Sequence, residues 1–163
     1  MNISFCKTNN IHTVYNREIR NMKIKDIMTT HPHVLTETST IKEAAELMYK
    51  NDIGAIPIID TKHEKLKGII TDRDIIMRCI SQNLDSNATE VKDIMTKDVI
   101  SVCPENAVTE SSRIMAKNKI RRLPVCENGK VVGMVSLGDI SRSKKLFAET
   151  ASAFCDICNE GSE

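Results

Sequence analysis

The stretch Gly68-Ile69-Ile70-Thr71-Asp72-Arg73-Asp74-Ile75 decides the fold, because the chain repeats its pattern as Gly133-Met134-Val135-Ser136-Leu137-Gly138-Asp139-Ile140. Each copy has a glycine, a short apolar run, a hydroxyl residue and an aspartate three positions after that hydroxyl. The apolar run is typical of a buried strand, and the hydroxyl–aspartate spacing is typical of a helix start. We therefore predict that each copy is a strand that leads directly into a helix. We call the two turning points joint one (Thr71 to Asp74) and joint two (Ser136 to Asp139).

The segments before each joint are duplicated as well. Lys25-Asp26-Ile27-Met28-Thr29 returns 67 residues later as Lys92-Asp93-Ile94-Met95-Thr96. Apolar and small residues spaced i, i+3, i+4, i+7 then predict one amphipathic helix in each repeat: Ile41, Ala44, Ala45 and Met48 in the first, and Val108, Ser111, Ser112 and Met115 in the second. A proline-containing strand follows each helix (55–59 and 122–126), and we place both at a sheet edge or strand start because proline gives no ladder donor.

These patterns predict an α+β fold made of two repeats. Each repeat reads as a short strand, a helix, two further strands and a second helix, over residues 22–84 and 90–150. One repeat buries little apolar surface on its own, so we expect the two to pack with pseudo-twofold symmetry into one module. Residues 1–21 are predicted to be a disordered extension, and 151–163 the end of the last helix with a frayed tail.

Composition excludes several classes of function. Lys plus Arg number 23 and Asp plus Glu 22, and there is no Trp with only two Tyr and three Phe. The charge balance and the scarcity of stacking aromatics argue against a nucleic-acid partner, and no apolar run is long enough to span a membrane. No catalytic constellation or phosphate-binding glycine loop is present, so we do not expect an enzyme. Six cysteines without a secretion signal indicate reduced thiols in the cytoplasm.

With these features together, the chain resembles a tandem pair of CBS domains, also called a Bateman module. The resemblance covers about residues 22–150 and depends on the paired Lys-Asp-Ile-Met-Thr segments, the paired proline strands and the two joints. It implies a regulatory module that binds an adenosine-containing ligand (AMP, ADP, ATP or S-adenosylmethionine) in clefts between the repeats. It also implies a homodimer that signals to an effector protein, which the sequence does not identify, and no tightly held cofactor.

The resemblance implies a role for each residue at the joints. Asp74 and Asp139 would hold the ribose hydroxyls, and a carboxylate can accept from two vicinal hydroxyls at once. Thr71 and Ser136 would be the phosphate-side hydroxyls, beside helix N-termini whose backbone amides favour anions. The remaining ligand contacts would come from the proline strands, with the base and the phosphates shared among Ile56, Pro57, Leu123, Pro124, Arg121 and Arg122.

The two copies are not identical, so we predict unequal sites. Repeat one has Gly54-Ala55 where repeat two has Arg121-Arg122. Asp72 adds a negative charge to joint one, whereas joint two has Leu137 at the matching position. The sequence does not determine which aspartate shares a cleft with the two arginines.

Alternative interpretations remain at this stage. A hydroxyl residue followed by Asp at a helix start is close to a capping box, which needs no ligand. The module could then be a ligand-free structural or dimerisation unit. Cys155 and Cys158 form a single Cys-x-x-Cys pair that would make the chain a metal or redox sensor, but a structural zinc needs four ligands and we predict no metal site. A weak enzyme activity on nucleotides would need a base and an activated water that the sequence does not offer.

Overall fold

The computed structural model describes residues 22–142, 151 and 155–158. The predicted extension at 1–21 and most of the predicted tail lie outside these residues. The strands are β1 (Thr29–Thr30), β2 (Leu35–Thr36), β3 (Ala55–Ile59), β4 (Leu66–Thr71), β5 (Arg122–Glu127) and β6 (Lys130–Ser136). The helices are α1 (Ile41–Asn51), α2 (the helical run 72–82), α3 (Val91–Ile94), α4 (Val108–Asn118) and α5 (Leu137–Arg142), with a 3-10 turn at Ile24–Asp26.

The strands form two three-stranded sheets. In the first sheet the order is β2-β3-β4, with β2 parallel to β3 and β3 antiparallel to β4. In the second the order is β1-β6-β5. Asn128 and Gly129 join β5 to β6 with φ angles of 52° and 81°, as a tight hairpin turn with two left-handed residues requires. The predicted mixture of helices and short strands, repeated twice, is confirmed.

The short strand that opens each repeat does not pair within its own repeat. The order of elements along the sequence would instead place it in the sheet of the repeat that it opens. Thr29, in the first Lys-Asp-Ile-Met-Thr segment, pairs with Met134 on β6. Its duplicate Thr96 forms the matching bridge with Ile69 on β4. The opening segments are therefore exchanged, and each completes the sheet of the other repeat.

The same exchange recurs at the helix starts. Lys23 bridges to Ala107 just before α4, and Glu90 bridges to Thr40 just before α1. The two bridges are equivalent under the repeat, because in each case an opening segment pairs with the residue just before the helix of the other repeat. Nearby backbone hydrogen bonds support the two bridges, including Ile24 N to Asn106 O at 3.0 Å and Ile41 N to Thr89 O at 3.0 Å.

The helix α1 begins at a capping box, as the three-residue spacing of Thr40 and Glu43 favours. Thr40 accepts a hydrogen bond from the backbone N of Glu43, and the Glu43 carboxylate accepts one from the Thr40 backbone N. Asp52 ends the helix in the left-handed conformation. The buried face of α1 contributes Ile41, Ala44 and Met48 to an apolar core. The other buried members of this core are Ile56, Ile58, Ile70, Cys79, Val91, Ile94 and Met95.

Three details of the predicted packing are wrong. Pro57 lies in β3, the central strand of its sheet; this is tolerated because the two-residue strand β2 pairs only with Ile58 and Ile59. Ala45 is exposed on α1, although its duplicate Ser112 is buried. The sequence places Ile75, Ile76, Cys79 and Ile80 on one side of a regular helix, but Ile76 and Ile80 are 59% and 58% exposed because Ile75–Cys79 is a π-helical turn with a different residue spacing.

The chain divides into two compact units. One contains Met1–Met28, Pro104–Arg121 and Val135–Glu163, and the other contains Thr29–Cys103 and Arg122–Met134. Joint two lies in the first unit and joint one in the second. The exchange of opening segments explains why this division does not follow the two repeats. Among the described residues, no helix combines the length and apolar character that a bilayer span requires.

Candidate functional site

Joint one is a complete capping box. The backbone N and the Oγ1 of Thr71 both donate to Oδ2 of Asp74, at 2.9 and 2.7 Å. In return the Asp74 backbone N donates to Thr71 Oγ1 at 3.2 Å. The capping interpretation of this motif is therefore confirmed, and the aspartate is held in one rotamer by the backbone of its own helix.

Joint two repeats this arrangement closely. The backbone N and the Oγ of Ser136 donate to Oδ2 of Asp139 at 2.8 and 2.7 Å, and the Asp139 backbone N donates to Ser136 Oγ at 3.2 Å. Threonine and serine give the same geometry because the bonding group is the hydroxyl that both share. Each joint thus fixes one oxygen of its aspartate and leaves the other to face its surroundings.

The second carboxylate oxygen of each aspartate faces an arginine on the same helix. Asp74 Oδ1 lies 3.4 Å from Arg78 Nη1, and Asp139 Oδ1 lies 2.7 Å from Arg142 Nη1. The two carboxylate side chains are only 14% and 10% exposed, whereas the arginines are 49% and 79% exposed. Arg142 is largely exposed and can move aside at little cost, so at joint two Oδ1 is the oxygen that an incoming donor can reach.

These two arginines were missed in the sequence analysis. Their spacing from the aspartates, i+4 for Arg78 and i+3 for Arg142, is a recognised signal for an ion pair on a helix. Arg78 has additional partners, since its Nη1 also donates to the carbonyl oxygen of Ile94 at 2.8 Å and lies 3.4 Å from Thr96 Oγ1. Joint one is thereby connected to the opening segment of repeat two.

The structure also shows which joint lies near Arg122. An ideal Cβ placed on Gly54 would lie 2.9 Å from Asp72 Oδ2 and 3.4 Å from Arg122 Nη2. Both charged groups therefore lie next to Gly54, whose carbonyl accepts from the Asp72 backbone N at 3.3 Å. Arg122 accordingly belongs to the surroundings of joint one, and any larger residue at position 54 would displace these charged groups.

Arg121 has a different position. Its carbonyl oxygen accepts a hydrogen bond from the Leu137 backbone N at 3.0 Å, the same contact that Gly54 makes with Asp72. The predicted residues of the proline strands, Ile56, Pro57, Leu123 and Pro124, are all buried. Ile56 and Leu123 are completely covered, backbone included, so neither residue is open to a ligand in this conformation.

Free backbone amides were expected at both helix starts, and joint one does not provide them. The first amide, of Asp72, bonds to Gly54, and the second, of Arg73, donates to Asp72 Oδ1 at 2.8 Å. The third belongs to Asp74 and bonds to Thr71. In joint two the residue that matches Asp72 is Leu137, which has no side-chain acceptor for the next amide. The expectation is wrong for joint one, because the additional carboxylate of Asp72 accepts from the Arg73 amide, which would otherwise be free.

Other features do not add a site of known chemistry. A surface cavity of about 340 Å³ lies at the opposite end of β3 from Gly54, lined by Glu37, Thr38, Asp60, Thr61, Lys62, His63 and Lys67. Cys155 and Cys158 are both exposed and reduced. Within the part of the chain that the structure describes, no three His, Cys, Asp or Glu side chains are grouped closely enough to hold a metal ion.

Comparison with known proteins identifies the family. The model of the CBS domain matches twice, at residues 24–81 and 91–145. The chain belongs to the CBS domain family. A curated relative, the CBS domain-containing protein YhcV of Bacillus subtilis (strain 168), is 36% identical over 137 residues, which cover 84% of this chain and 96% of the relative. The resemblance seen in the duplicated sequence is confirmed.

Two solved structures of CBS proteins carry adenosine compounds. The CBS domain pair of protein MJ0100, in complex with methylthioadenosine and S-adenosyl-L-methionine, is 35% identical with a TM-score of 0.67 and covers 74% of this chain and 94% of its own. CBSX2 in complex with AMP is 28% identical with a TM-score of 0.65, again covering 74% of this chain and 94% of its own. Adenosine-containing ligands are therefore bound by proteins with the fold of this chain.

Proposed function

We propose that this CBS domain pair is a regulatory, non-catalytic module that binds an adenosine-containing ligand beside its joints. The observation that carries the proposal is the state of the two aspartates. Each is mostly shielded, is fixed through Oδ2 by its own helix start, and has its Oδ1 facing an arginine that is itself largely or half exposed. A pre-positioned carboxylate of this kind suits two neighbouring hydroxyls of a ribose.

In this proposal Asp74 and Asp139 accept from the ribose hydroxyls through Oδ1. Arg78 and Arg142 give up that oxygen when the ligand enters, which costs little because surface ion pairs of this type contribute little. The base lies along the backbone of the proline strands, beside Ile56 and Pro57 in one repeat and Leu123 and Pro124 in the other.

The phosphate side of the ligand is assigned to Arg122 at joint one. Its guanidinium lies beside Gly54 and can form a two-pronged hydrogen bond with a phosphate. Thr71 and Ser136 keep the phosphate-side position implied by the family, although their hydroxyls serve the capping boxes in this conformation. Arg121 is a weaker candidate for the phosphate because the contact described for it is made by its carbonyl oxygen.

Signalling in this proposal occurs by a shift between two arrangements of a homodimer that contacts an effector protein. The ligand can shift that equilibrium only by its difference in affinity for the two states. Ala44 and Met48 on α1 are buried within the chain, so this face is not available for a contact between subunits. The exposed apolar residues Ile76, Met77 and Ile80 on α2 form a better candidate for the contact.

Isothermal titration calorimetry tests the binding function. The chain is titrated with AMP, ADP, ATP, S-adenosylmethionine and methylthioadenosine, and then compared with Asp74→Asn, Asp139→Asn and the surface control Asp98→Asn. We expect at least one ligand to bind. The matching Asn variant should bind it about ten- to a hundredfold more weakly, because a hydrogen bond to a charged acceptor contributes about 1.5–3 kcal/mol.

The result also separates the two joints. If only one joint is occupied, one of the two Asn variants loses binding and the other behaves like Asp98→Asn. Unchanged circular dichroism and melting temperature in the variants would exclude misfolding as the cause. Flat titrations with all five compounds would instead favour the ligand-free structural module.

A further inference from the structure

We propose that Cys103 and Cys126 form a reversible disulfide within the chain. The two residues occupy directly neighbouring positions on parallel segments. Val102 pairs with Val125 in parallel register, with Val102 N donating to Pro124 O at 3.0 Å and Cys126 N donating to Val102 O at 2.8 Å. The residue that follows Val102 therefore lies beside the residue that follows Val125, and these two residues are the cysteines.

The side chains of the two cysteines lie on the same face of this pair. Side chains alternate along a strand, and Val102 and Val125 point together into the core, where they are 3% and 0% exposed. Their neighbours must then share the opposite face. A hydrogen bond from the Ser101 side chain to Cys126 supports this, because Ser101 and Cys103 are two positions apart and point the same way.

The spacing suits a disulfide. Neighbouring strands are about 4.8 Å apart, which falls within the 4.4–6.8 Å separation of Cα atoms found in disulfides. The pair of Val102 with Val125 sets the register of the two cysteines that follow them.

The two thiols differ in solvent exposure, and this difference determines which of them reacts first. Cys103 is exposed, whereas Cys126 is 9% exposed. Burial raises the pKa of the Cys126 thiol, and the hydrogen bond from Ser101 only partly opposes this. Cys103 is therefore the thiol that an external oxidant meets first, and Cys126 is the sheltered thiol that reacts with it afterwards.

The chemistry is balanced with a hydroperoxide as the oxidant. The Cys103 thiolate attacks the distal peroxide oxygen, the O–O bond breaks, and the products are a sulfenic acid and an alcohol, or water when the oxidant is hydrogen peroxide. The Cys126 thiol then attacks the sulfenic sulfur, an S–S bond forms, and water leaves. Two thiols have lost two electrons in total, and a dithiol reductant restores them by thiol–disulfide exchange.

Formation of the Cys103–Cys126 bond would fix the segment that leads into α4. The loop between the two cysteines contains the whole helix α4, and the bond would attach its entry to β5. The strand β5 begins at Arg122, the residue assigned to the phosphate at joint one. The disulfide itself does not depend on that assignment, since it follows from the strand register alone.

Peptide mapping tests the proposal. A variant with Cys6, Cys155 and Cys158 changed to Ser retains Cys79, Cys103 and Cys126 and cannot form a bond between tail cysteines. After treatment with stoichiometric hydrogen peroxide, alkylation and digestion, we expect a linked Cys103–Cys126 peptide that dithiothreitol removes. The oxidised protein should melt on the order of 5 °C higher, because the bond closes a long loop of the unfolded chain.

Two further variants make the outcome decisive. Adding Cys103→Ser, at an exposed position, should abolish both the linked peptide and the rise in melting temperature, whereas adding Cys79→Ala should leave both intact. The proposal is overturned if Cys103 becomes oxidised or forms dimers between chains while Cys126 is recovered entirely as an alkylated thiol. It is equally overturned if no cysteine of the treated variant changes its state.

Discussion

Joint one and joint two share their capping contacts but differ in charge. In both, a hydroxyl and a backbone amide hold Oδ2 of the aspartate, and the amide after the hydroxyl residue donates to the carbonyl of the residue just before the proline strand. Joint one adds Asp72 and has Arg122 nearby, whereas joint two has Leu137 in place of Asp72. The shared contacts are those that start a helix, so the differences are where each joint can acquire its own ligand preference.

Removing Arg122 should have the largest effect on that difference. We expect Arg122→Ala to weaken AMP binding at joint one about tenfold or more, because a charge-assisted contact with the phosphate is lost. Binding of methylthioadenosine, which has no phosphate, should hardly change. Calorimetry with both compounds measures the ratio of the two affinities.

Arg121→Ala is the matched control for this change, since the neighbouring residue loses the same charge and side chain. Its carbonyl contact with Leu137 is retained. Equal losses of AMP affinity in the two variants would mean that the general positive field of this strand matters, and that Arg122 has no specific phosphate contact.

Neutralising Asp72 should have a smaller effect of opposite sign. Asp72→Asn keeps the shape of the side chain but removes a negative charge beside Arg122, so AMP should bind about two- to fivefold more tightly at joint one. Methylthioadenosine again serves as the uncharged comparison. The gain in AMP affinity should become smaller at high salt. If it does not, the effect is not electrostatic, and the charge difference does not explain how the two joints differ in binding.

The smallest expected effect concerns the two opening segments. Lys23 and Lys25 both pair with Glu105 in the first exchange. Their hydrogen bonds lower the pKa of the Glu105 carboxyl to about 2. At the matching positions of the second exchange, Glu90 and Lys92 pair with each other and Thr38 replaces the glutamate. Across the described residues the ionic connection to the opposite repeat is therefore weaker in the second exchange, where Glu37 is the smallest of the influences that raise the pKa of Lys92.

This difference predicts a weak dependence on acid. The folded-state pKa of Glu105 is lower than the ordinary value of 4.5, so its contribution is fully present above about pH 4.5 and is lost as the pH falls toward 2. Melting temperatures of the native chain and Glu105→Gln should differ by a few degrees at most at pH 7, and should converge as the pH falls from about 4.5 toward 2. A constant difference across this range would exclude the proposed ion pairs.

Local spacing predicted the parts of this structure that depend on nearby residues. The capping boxes at Thr40, Thr71 and Ser136 were found because their partners lie three positions away. The site aspartates were placed in the same way, although their ligand role remains a proposal. The repeat boundaries at 22–84 and 90–150 also stay predictions.

Long-range contacts were the part that spacing could not supply. Nothing in Thr29 or Thr96 indicates which sheet it joins, since a strand of two residues has no alternation to read. The π-helical turn in α2 likewise has no simple sequence signal, and it placed Ile76 and Ile80 in solvent. The position of Arg122 beside Asp72 depends on the packing of strands that are far apart in sequence.

The exchange of opening segments has a consequence for the history of the chain. A polypeptide with one repeat would lack the strand that completes its own sheet, and a second copy would supply it by handing over Lys-Asp-Ile-Met-Thr in return. Two such copies would form a swapped pair, and joining them end to end by gene duplication would give a chain with this arrangement. After such a fusion the two halves could differ, and a charge such as Asp72 could be present on one side alone.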